Sequence, residues 1–305
     1  MIIEVENLVK SYSLIKAVDN ISFNVEPGEV FGMLGPNGAG KTTTVEIIEG
    51  LRTADSGRVT VLGLDIIEAS TRIKQKIGVQ LQAPSLMPAL TVRELLDTFA
   101  GFYKYSLPID DVIELMALTE SQKMLVKNLS GGQQQRLSVA MALINNPEIA
   151  FLDEPTTGLD PQARRGLWTI IENMRDKNKT IFLTTHYMEE AERLCDRVAI
   201  MDYGKIIALD TPQELIRNYF KEKVIQFELE PPPPEIVLRA FAGTTNVTID
   251  TNSVVVYSSD IPATMSAILK YTEKIDLIDK LKNLHVREAT LEDVFLKLTG
   301  RRIRE

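Results

Sequence analysis

Gly35-Pro36-Asn37-Gly38-Ala39-Gly40-Lys41-Thr42 is the stretch from which the architecture of this chain follows. The octapeptide fits the pattern G-x-x-x-x-G-K-[ST], and its flanks are those the pattern needs in order to work. Ahead of it, Glu29-Val30-Phe31-Gly32-Met33-Leu34 is a short apolar segment opened by Pro27-Gly28, which reads as a strand buried in a parallel sheet. Behind it, Thr43-Thr44-Val45-Glu46-Ile47-Ile48-Glu49 reads as a helix closed by Gly50. Glycines let the backbone curl with its N–H groups turned inward, and the helix that follows adds partial positive charge, so strand, loop and helix together form an anion cradle. Lys41 is expected to reach the β- and γ-phosphates of a nucleotide, and the Thr42 hydroxyl to ligate Mg²⁺.

Two further segments extend this cradle into a reaction centre. Asn146-Pro147-Glu148-Ile149-Ala150-Phe151-Leu152-Asp153-Glu154-Pro155 reads as a central apolar strand that delivers two carboxylates to its C-terminal edge, where ligands bind in open α/β sheets. Asp153 suits the Mg²⁺ shell, and Glu154, directed elsewhere, suits a general base acting on water. Leu129-Ser130-Gly131-Gly132-Gln133 precedes that strand. Its Ser-Gly-Gly turn, opening a helix expected from Gln134 to Ile144, is a second anion cradle with a hydroxyl and free backbone N–H groups. At average residue frequencies this pentapeptide would arise by chance in such a chain less than about once in a thousand.

These segments, in this order, resemble the nucleotide-binding subunit of ATP-binding cassette (ABC) transporters over roughly residues 1–220. The resemblance implies an α/β fold: a P-loop nucleoside-triphosphatase core on a mostly parallel sheet, an N-terminal antiparallel β layer, and an inserted helical subdomain at about 83–137. It also implies ATP and Mg²⁺ as cofactors, held by Gly35, Pro36, Asn37, Gly38, Ala39, Gly40, Lys41, Thr42 and Thr43. Tyr12 stands where the family stacks an aromatic on adenine, and Val18 resembles the small apolar contact beside it. Gln82, after Ile77-Gly78-Val79-Gln80-Leu81, resembles the glutamine that joins the Mg²⁺ and water shell; Gln80 is the second choice. Thr157-Gly158-Leu159-Asp160 resembles the loop that meets the opposing subunit, and His186, after Thr180 to Thr185, the histidine that contacts the γ-phosphate. Ser130, Gly131, Gly132 and Gln133 would close on ATP held by a second ATPase subunit. Two nucleotides are then sandwiched between two subunits, whether as homodimer or heterodimer.

Composition bears on the partners. The chain has 305 residues, 44% hydrophobic and 25% charged, enough for a full core and two domains. Only Cys195 is present, which excludes disulfides within the chain and cysteine-rich zinc sites. No apolar run nears the ~20 residues needed to cross a bilayer, and the N-terminus, with Glu4 and Glu6, is not expected to be a secretion signal. The net charge of −8 argues against a nucleic-acid surface. Attachment to the cytoplasmic face of a membrane is therefore expected through an integral permease subunit. The resemblance places that contact on the helical subdomain and near Ala83 to Ala89, where Pro84 and Pro88 fix an irregular backbone.

Thr91-Val92-Arg93-Glu94 is a capping box that should start a helix running to about Phe102, with Val92, Leu95, Leu96, Phe99 and Phe102 on one face. Residues 221–305 read as a separate accessory domain. Around Pro231-Pro232-Pro233-Pro234, a rigid turn, the order strand, helix, strand, strand, helix, strand suggests a small ferredoxin-like α+β layer. A final helix should start at Thr290, its Leu291, Val294, Phe295 and Leu298 packing on that domain's own sheet. Thr290 to Gly300 resembles the tail of ABC-2 type exporter ATPases, the drug and antibiotic efflux group. The competing reading is a soluble, non-transport ABC ATPase or a nucleotide-gated scaffold. A single signature argues against tandem-cassette translation proteins, and about ninety residues between phosphate loop and signature leave no room for the coiled-coil insertion of repair ATPases.

Overall fold

The computed structural model describes residues 1–82 and 86–300. The chain divides into two compact units, one running from Met1 to Pro212 and the other starting at Gln213.

The first unit opens with β1 (Ile3–Tyr12), β2 (Ile15–Val25), β3 (Val30–Leu34), α1 (Lys41–Ile48), β4 (Ser56–Val61), β5 (Leu64–Asp65), α2 (Ser70–Lys74) and β6 (Ile77–Gln80). Three helices follow, α3 (Val92–Ala100), α4 (Ile109–Leu115) and α5 (Gly131–Leu143). The unit then alternates through β7 (Ile149–Asp153), α6 (Pro161–Asp176), β8 (Thr180–Thr185), α7 (Met188–Leu194), β9 (Arg197–Asp202) and β10 (Lys205–Asp210). Two sheets form: an antiparallel one in the order β2-β1-β4-β5, and a mainly parallel one in the order β10-β9-β3-β8-β7-β6, with only the β10-β9 pair antiparallel.

Burial explains why the central strands read as unbroken apolar runs. β3, β7 and β8 are buried along their whole length, as strands covered on both faces must be. Phe31, Phe151 and Phe182 meet across the three strands, with ring centroids 5.4 and 5.6 Å apart. Val45, Ile47 and Ile48 of α1 join them in one core with Ile3, Val5, Val18 and Phe23 of the antiparallel layer. The helix that follows the phosphate loop is thus clamped by the core, and the loop is rigidly held at the C-terminal edge of β3.

Two expected helix boundaries shift. The Thr91 capping box is present, but α3 stops at Ala100, and Phe102 is 67% exposed beyond Gly101. Glycine is second only to proline in its cost to a helix interior, which accounts for the early end. Helix α5 begins at Gly131 instead of Gln134, because Ser130 and Gln133 form a capping box of their own. Ala83, Pro84 and Ser85, part of the expected partner contact, lie outside the described residues.

The second unit contains α8 (Pro212–Tyr219) from Gln213 on, β11 (Lys223–Glu228), α9 (Glu235–Arg239), β12 (Thr244–Asp250), β13 (Ser253–Ser258), α10 (Ile261–Lys274), β14 (Lys282–Arg287) and α11 (Leu291–Thr299). Its sheet, in the order β12-β13-β11-β14, is antiparallel throughout, the arrangement expected of the β-α-β-β-α-β order. Leu291, Val294 and Phe295 are buried. Asp293 accepts a hydrogen bond from Tyr257 of β13 at 2.7 Å and pairs with Arg287 of β14, so α11 is fastened to this sheet. Among the described residues no helix is long and apolar enough to cross a membrane.

Candidate active site

The phosphate loop presents an uncapped helix. Gly40 precedes α1 at φ 103°, a backbone that only glycine adopts easily, and a Cβ there would lie 2.1 Å from the Ala17 carbonyl oxygen. No side chain caps α1 and no acid lies in its first turn, so its leading N–H groups and partial positive charge remain available to an anion. Asn37 and Gly38 are exposed at the mouth of the loop, and a Cβ on Gly38 would meet nothing within 4 Å. Ala39, by contrast, is 2% exposed and belongs to the core. Gly35 is buried, while Pro36, Thr42 and Thr43 are half-buried.

Lys41 and Glu154 meet at the centre. The Lys41 ammonium donates to the carbonyls of Gly35 at 2.8 Å and Pro36 at 3.2 Å, and lies 3.3 Å from Oε1 of Glu154. Both side chains are only 4% exposed. Oε2 of Glu154 accepts from Nε2 of Gln82 at 3.1 Å and Oγ1 of Thr157 at 3.2 Å, and it lies 3.3 Å from Nδ1 of His186 without an aligned hydrogen bond. Elements far apart in the chain therefore converge on one carboxylate: α1, the ends of β6, β7 and β8, and the loop after β7.

The backbone at Glu154 is strained for this purpose. Its φ of 47° is left-handed, which costs a non-glycine residue on the order of 1–3 kcal/mol. Its N–H is held by the Thr184 hydroxyl at 2.9 Å and the Thr184 carbonyl at 3.2 Å. The turn away from β7 aims the Glu154 carboxylate apart from that of Asp153, which instead accepts a hydrogen bond from Thr184. Their titrations separate accordingly. The His186 imidazole and then the Lys41 ammonium hold the Glu154 carboxyl down to about 2 against the effect of burial, whereas burial raises Asp153. Desolvation lowers the Lys41 ammonium, with Glu154 opposing it.

The residues expected at the second cradle line a separate cleft of about 560 Å³. Ser130, Gly131, Gly132, Gln133, Gly158 and Asp160 line it, together with Arg136 and the first turns of α6, and no phosphate-loop residue does. Gln133 is largely committed within the chain, its Oε1 accepting from Ser130 N at 2.8 Å and its Nε2 donating to Ser121 at 2.8 Å. Asp160 caps α6, accepting from the N–H groups of Gln162 and Ala163 at 2.9 Å each.

Three expectations need refinement. Tyr12 is 38% exposed at the end of β1, but it is flanked by cations, with Arg52 5.3 Å and Lys10 5.7 Å from its ring centroid. Val18 is wholly buried, because the alternation of β2 turns it into the core; the partly exposed neighbour is Ala17. Gln80 is 1% exposed and donates to the Leu81 carbonyl at 2.6 Å, which leaves Gln82 as the glutamine that touches Glu154. Thr184 was not singled out by the sequence, since nothing in a lone threonine marks a contact made from another strand, and Thr157 was placed only in the loop expected to meet the opposing subunit, not on Glu154 three residues before it.

Among the described residues no cluster of three or more His, Cys, Asp or Glu side chains forms a ready metal cage. That fits Mg²⁺, which is commonly held by one or two carboxylates together with substrate phosphates. Thr42 and Asp153 are near enough for the Thr42 hydroxyl to lower the Asp153 carboxyl, and they make such a donor pair.

The sequence profile described as ABC transporter matches residues 18–157. The chain is 39% identical to the Nod factor export ATP-binding protein I of Burkholderia thailandensis over 99% of its own length and 98% of that protein's. It is equally 39% identical to the protein of that name from Ralstonia nicotianae, over 100% and 95% of the two lengths. Among solved structures, an ATP-binding subunit of an ABC transporter covers 72% of this chain at 27% identity and a TM-score of 0.65, with 93% of that structure matched. A dimeric ATP-binding cassette in a post-hydrolysis state bound to ADP and Pi covers 68% at 27% identity and a TM-score of 0.63, with 98% of it matched. By near-complete coverage of these relatives and by its cassette fold, the chain belongs to the ABC transporter family, as an ATP-binding subunit that uses ATP with Mg²⁺.

Proposed function

We propose that this chain drives export through a separate permease by hydrolysing ATP at two composite sites, each made by the phosphate loop of one subunit and the Ser130 cleft of another. The observation that carries the hydrolytic assignment is the convergence of Lys41, Gln82, Thr157 and His186 on the single carboxylate of Glu154. In this reading Glu154 orients water and takes its proton, Lys41 balances phosphate charge, and His186 meets the γ-phosphate. Thr42, Asp153 and Gln82 would hold Mg²⁺, which when bound supplies charge neutralisation between phosphate oxygens. Tyr12 would stack on adenine, with the partly exposed Ala17 beside it and Val18 held in the core behind.

A carboxylate held near 2 is fully ionised at neutral pH but is a weak base. Polyphosphate binding would draw Lys41 onto phosphate oxygens and weaken the Lys41–Glu154 pair. The basicity of Glu154 then rises as the substrate arrives, which ties proton abstraction to occupancy of the loop.

The signature cleft supports completion in trans, because its lining excludes the phosphate loop while presenting Gly131 outward in open space. The dimeric cassette among the similar structures supports the same arrangement. The relatives named for export support the direction of transport. The permease contact is assigned to the helical subdomain and the segment around Ala83 to Ala89, supported by the exposure of Leu81 just ahead of it and of Met87 within it, each 46%. Through that contact the subunit would sit on the cytoplasmic face of the membrane.

Glu154→Gln tests the core of the proposal, because the amide keeps the shape and removes the base. ATP hydrolysis should fall by about 10²- to 10⁴-fold while ATP binding persists; an unchanged rate removes Glu154 from the mechanism.

A further inference from the structure

Four buried side-chain atoms lack an aligned hydrogen bond around the loops that follow β7 and β8: Thr156 Oγ1, Arg164 Nε, His186 Nδ1 and Glu190 Oε2. Buried polar atoms are nearly always paired, so such a concentration beside a reaction centre calls for a cause. Glu190, on α7, is 0% exposed and stands among these groups. Its Oε1 accepts from the indole Nε1 of Trp168 on α6 at 2.9 Å. Burial raises its carboxyl, and the side chains of Thr185, Trp168 and Thr156 oppose that rise, with Arg164 adding an opposite charge.

Each neighbour leads to the active site. Thr185 precedes His186, and its Oγ1 accepts from Tyr187 N at 2.9 Å. The Tyr187 ring lies 4.2 Å from that of His186 and carries the Arg164 guanidinium at 4.2 Å on it. Thr156 is two residues from Glu154 and precedes Thr157, whose hydroxyl bonds Oε2 of Glu154 at 3.2 Å. Helix α6 starts from Asp160, and its first turns line the Ser130 cleft. From Asp160 to Trp168 is about 12 Å of rigid helix.

We infer that Glu190 is a positioning residue for ATP hydrolysis: its carboxyl ties α6, which borders the cleft for the second subunit, through Trp168 to α7, the helix that follows the His186 loop, and so sets the placement of His186 against Glu154. It rests on the roles proposed above for those two residues. Full burial keeps Glu190 from water and nucleotide, so it acts through its neighbours. The tie gives a second subunit seated on α6 a direct mechanical path to the His186 loop.

Steady-state hydrolysis and fluorescent-nucleotide affinity of the full-length chain test this with Glu190→Ala, Glu190→Gln and Trp168→Phe. Glu190→Ala should lower kcat about 10- to 100-fold with KM and Kd within about threefold of the parent, since small misplacements act on the chemical step. Glu190→Gln, whose amide oxygen still accepts from Trp168, should recover most of the rate. Trp168→Phe should cost rate in the parent and little more in Glu190→Ala, because both break one tie. If Glu190→Ala does not fold, Trp168→Phe carries the same expectation. The inference is overturned by a parental rate in these variants, or by affinity lost in step with rate and no recovery in Glu190→Gln, the pattern of a merely structural residue. Glu154→Gln in the same assay separates the two claims. A parental rate there removes the assigned base, whereas its loss beside a parental rate in Glu190→Ala removes only the tie.

Discussion

Glu49 follows the last turn of α1 at 2% exposure, and its Oε1 is buried without a hydrogen-bond partner. Burial, with the negative charges of Asp153 and Glu46 nearby, pushes its carboxyl from 4.5 up to about 9. An acid raised on folding stabilises the native state fully below its unfolded value and progressively less as pH climbs toward the folded one. Glu49→Gln, which removes that proton dependence, should therefore raise the melting temperature at pH 8 and change it little at pH 4.5, with a gain on the order of 1 kcal/mol or more at the higher pH. An equal effect at both pH values would show that the carboxyl is not held neutral. Glu154 behaves in the opposite sense: depressed from 4.5 to about 2, its contribution is present above 4.5 and lost as pH falls through that window. Lys41, Asp153 and Glu154 were readable from their motifs as candidate site residues. The different environments of Glu49 and Glu154 were not, since two similar side chains diverge only through what the fold packs around them.

At the level of elements, the helix N-termini divide into two kinds. Helices α3, α5 and α11 carry capping boxes, and α1 carries none. Helices α2, α4, α7 and α9 also lack a side-chain cap, but α1 is the one that follows the glycine loop with no acid in its first turn, and its unspent leading N–H groups are the ones proposed to take phosphate. For α3, Thr91→Ala removes the bond that Glu94 N donates to Thr91 Oγ1 and should cost about 1 kcal/mol of unfolding free energy with ATP affinity unchanged. A melt identical to the parent would show that Glu94 alone holds that turn. The Thr91 box was legible because nothing competed with it. Ser130 and Gln133 spell the same pattern, yet their glycines also spell an anion cradle, and reading only the cradle placed the start of α5 three residues late. Val18 shows the corresponding loss for strands: a one-residue change of facing in β2 decides between the core and the nucleotide.

For the whole molecule, activity should belong to pairs of chains. Lys41→Met removes the phosphate-loop charge, and Gly131→Asp places a carboxylate in the Ser130 cleft, where a Cβ on Gly131 would meet nothing within 4 Å. Each variant alone should be inactive. Mixing them as a homodimer leaves one site with an intact phosphate loop facing an intact signature, so hydrolysis should return on mixing; silence in the mixture would mean that each chain completes its own site. Sequence by itself determined the family and the succession of strand, glycine loop and helix around the phosphate loop. Those rest on local patterns: glycine spacing, apolar runs and capping residues, each readable within a dozen positions. Only the tertiary structure decided that Gln82 and not Gln80 reaches Glu154, that Thr157 joins it, that Val18 faces the core, and that Glu190 stands behind His186. Such contacts, whether between Thr157 and Glu154 three positions apart or between Gln82 and Glu154 seventy-two apart, depend on how strands are ordered and which way each side chain faces, and side-chain facing is fixed by packing against partners that the local sequence does not name.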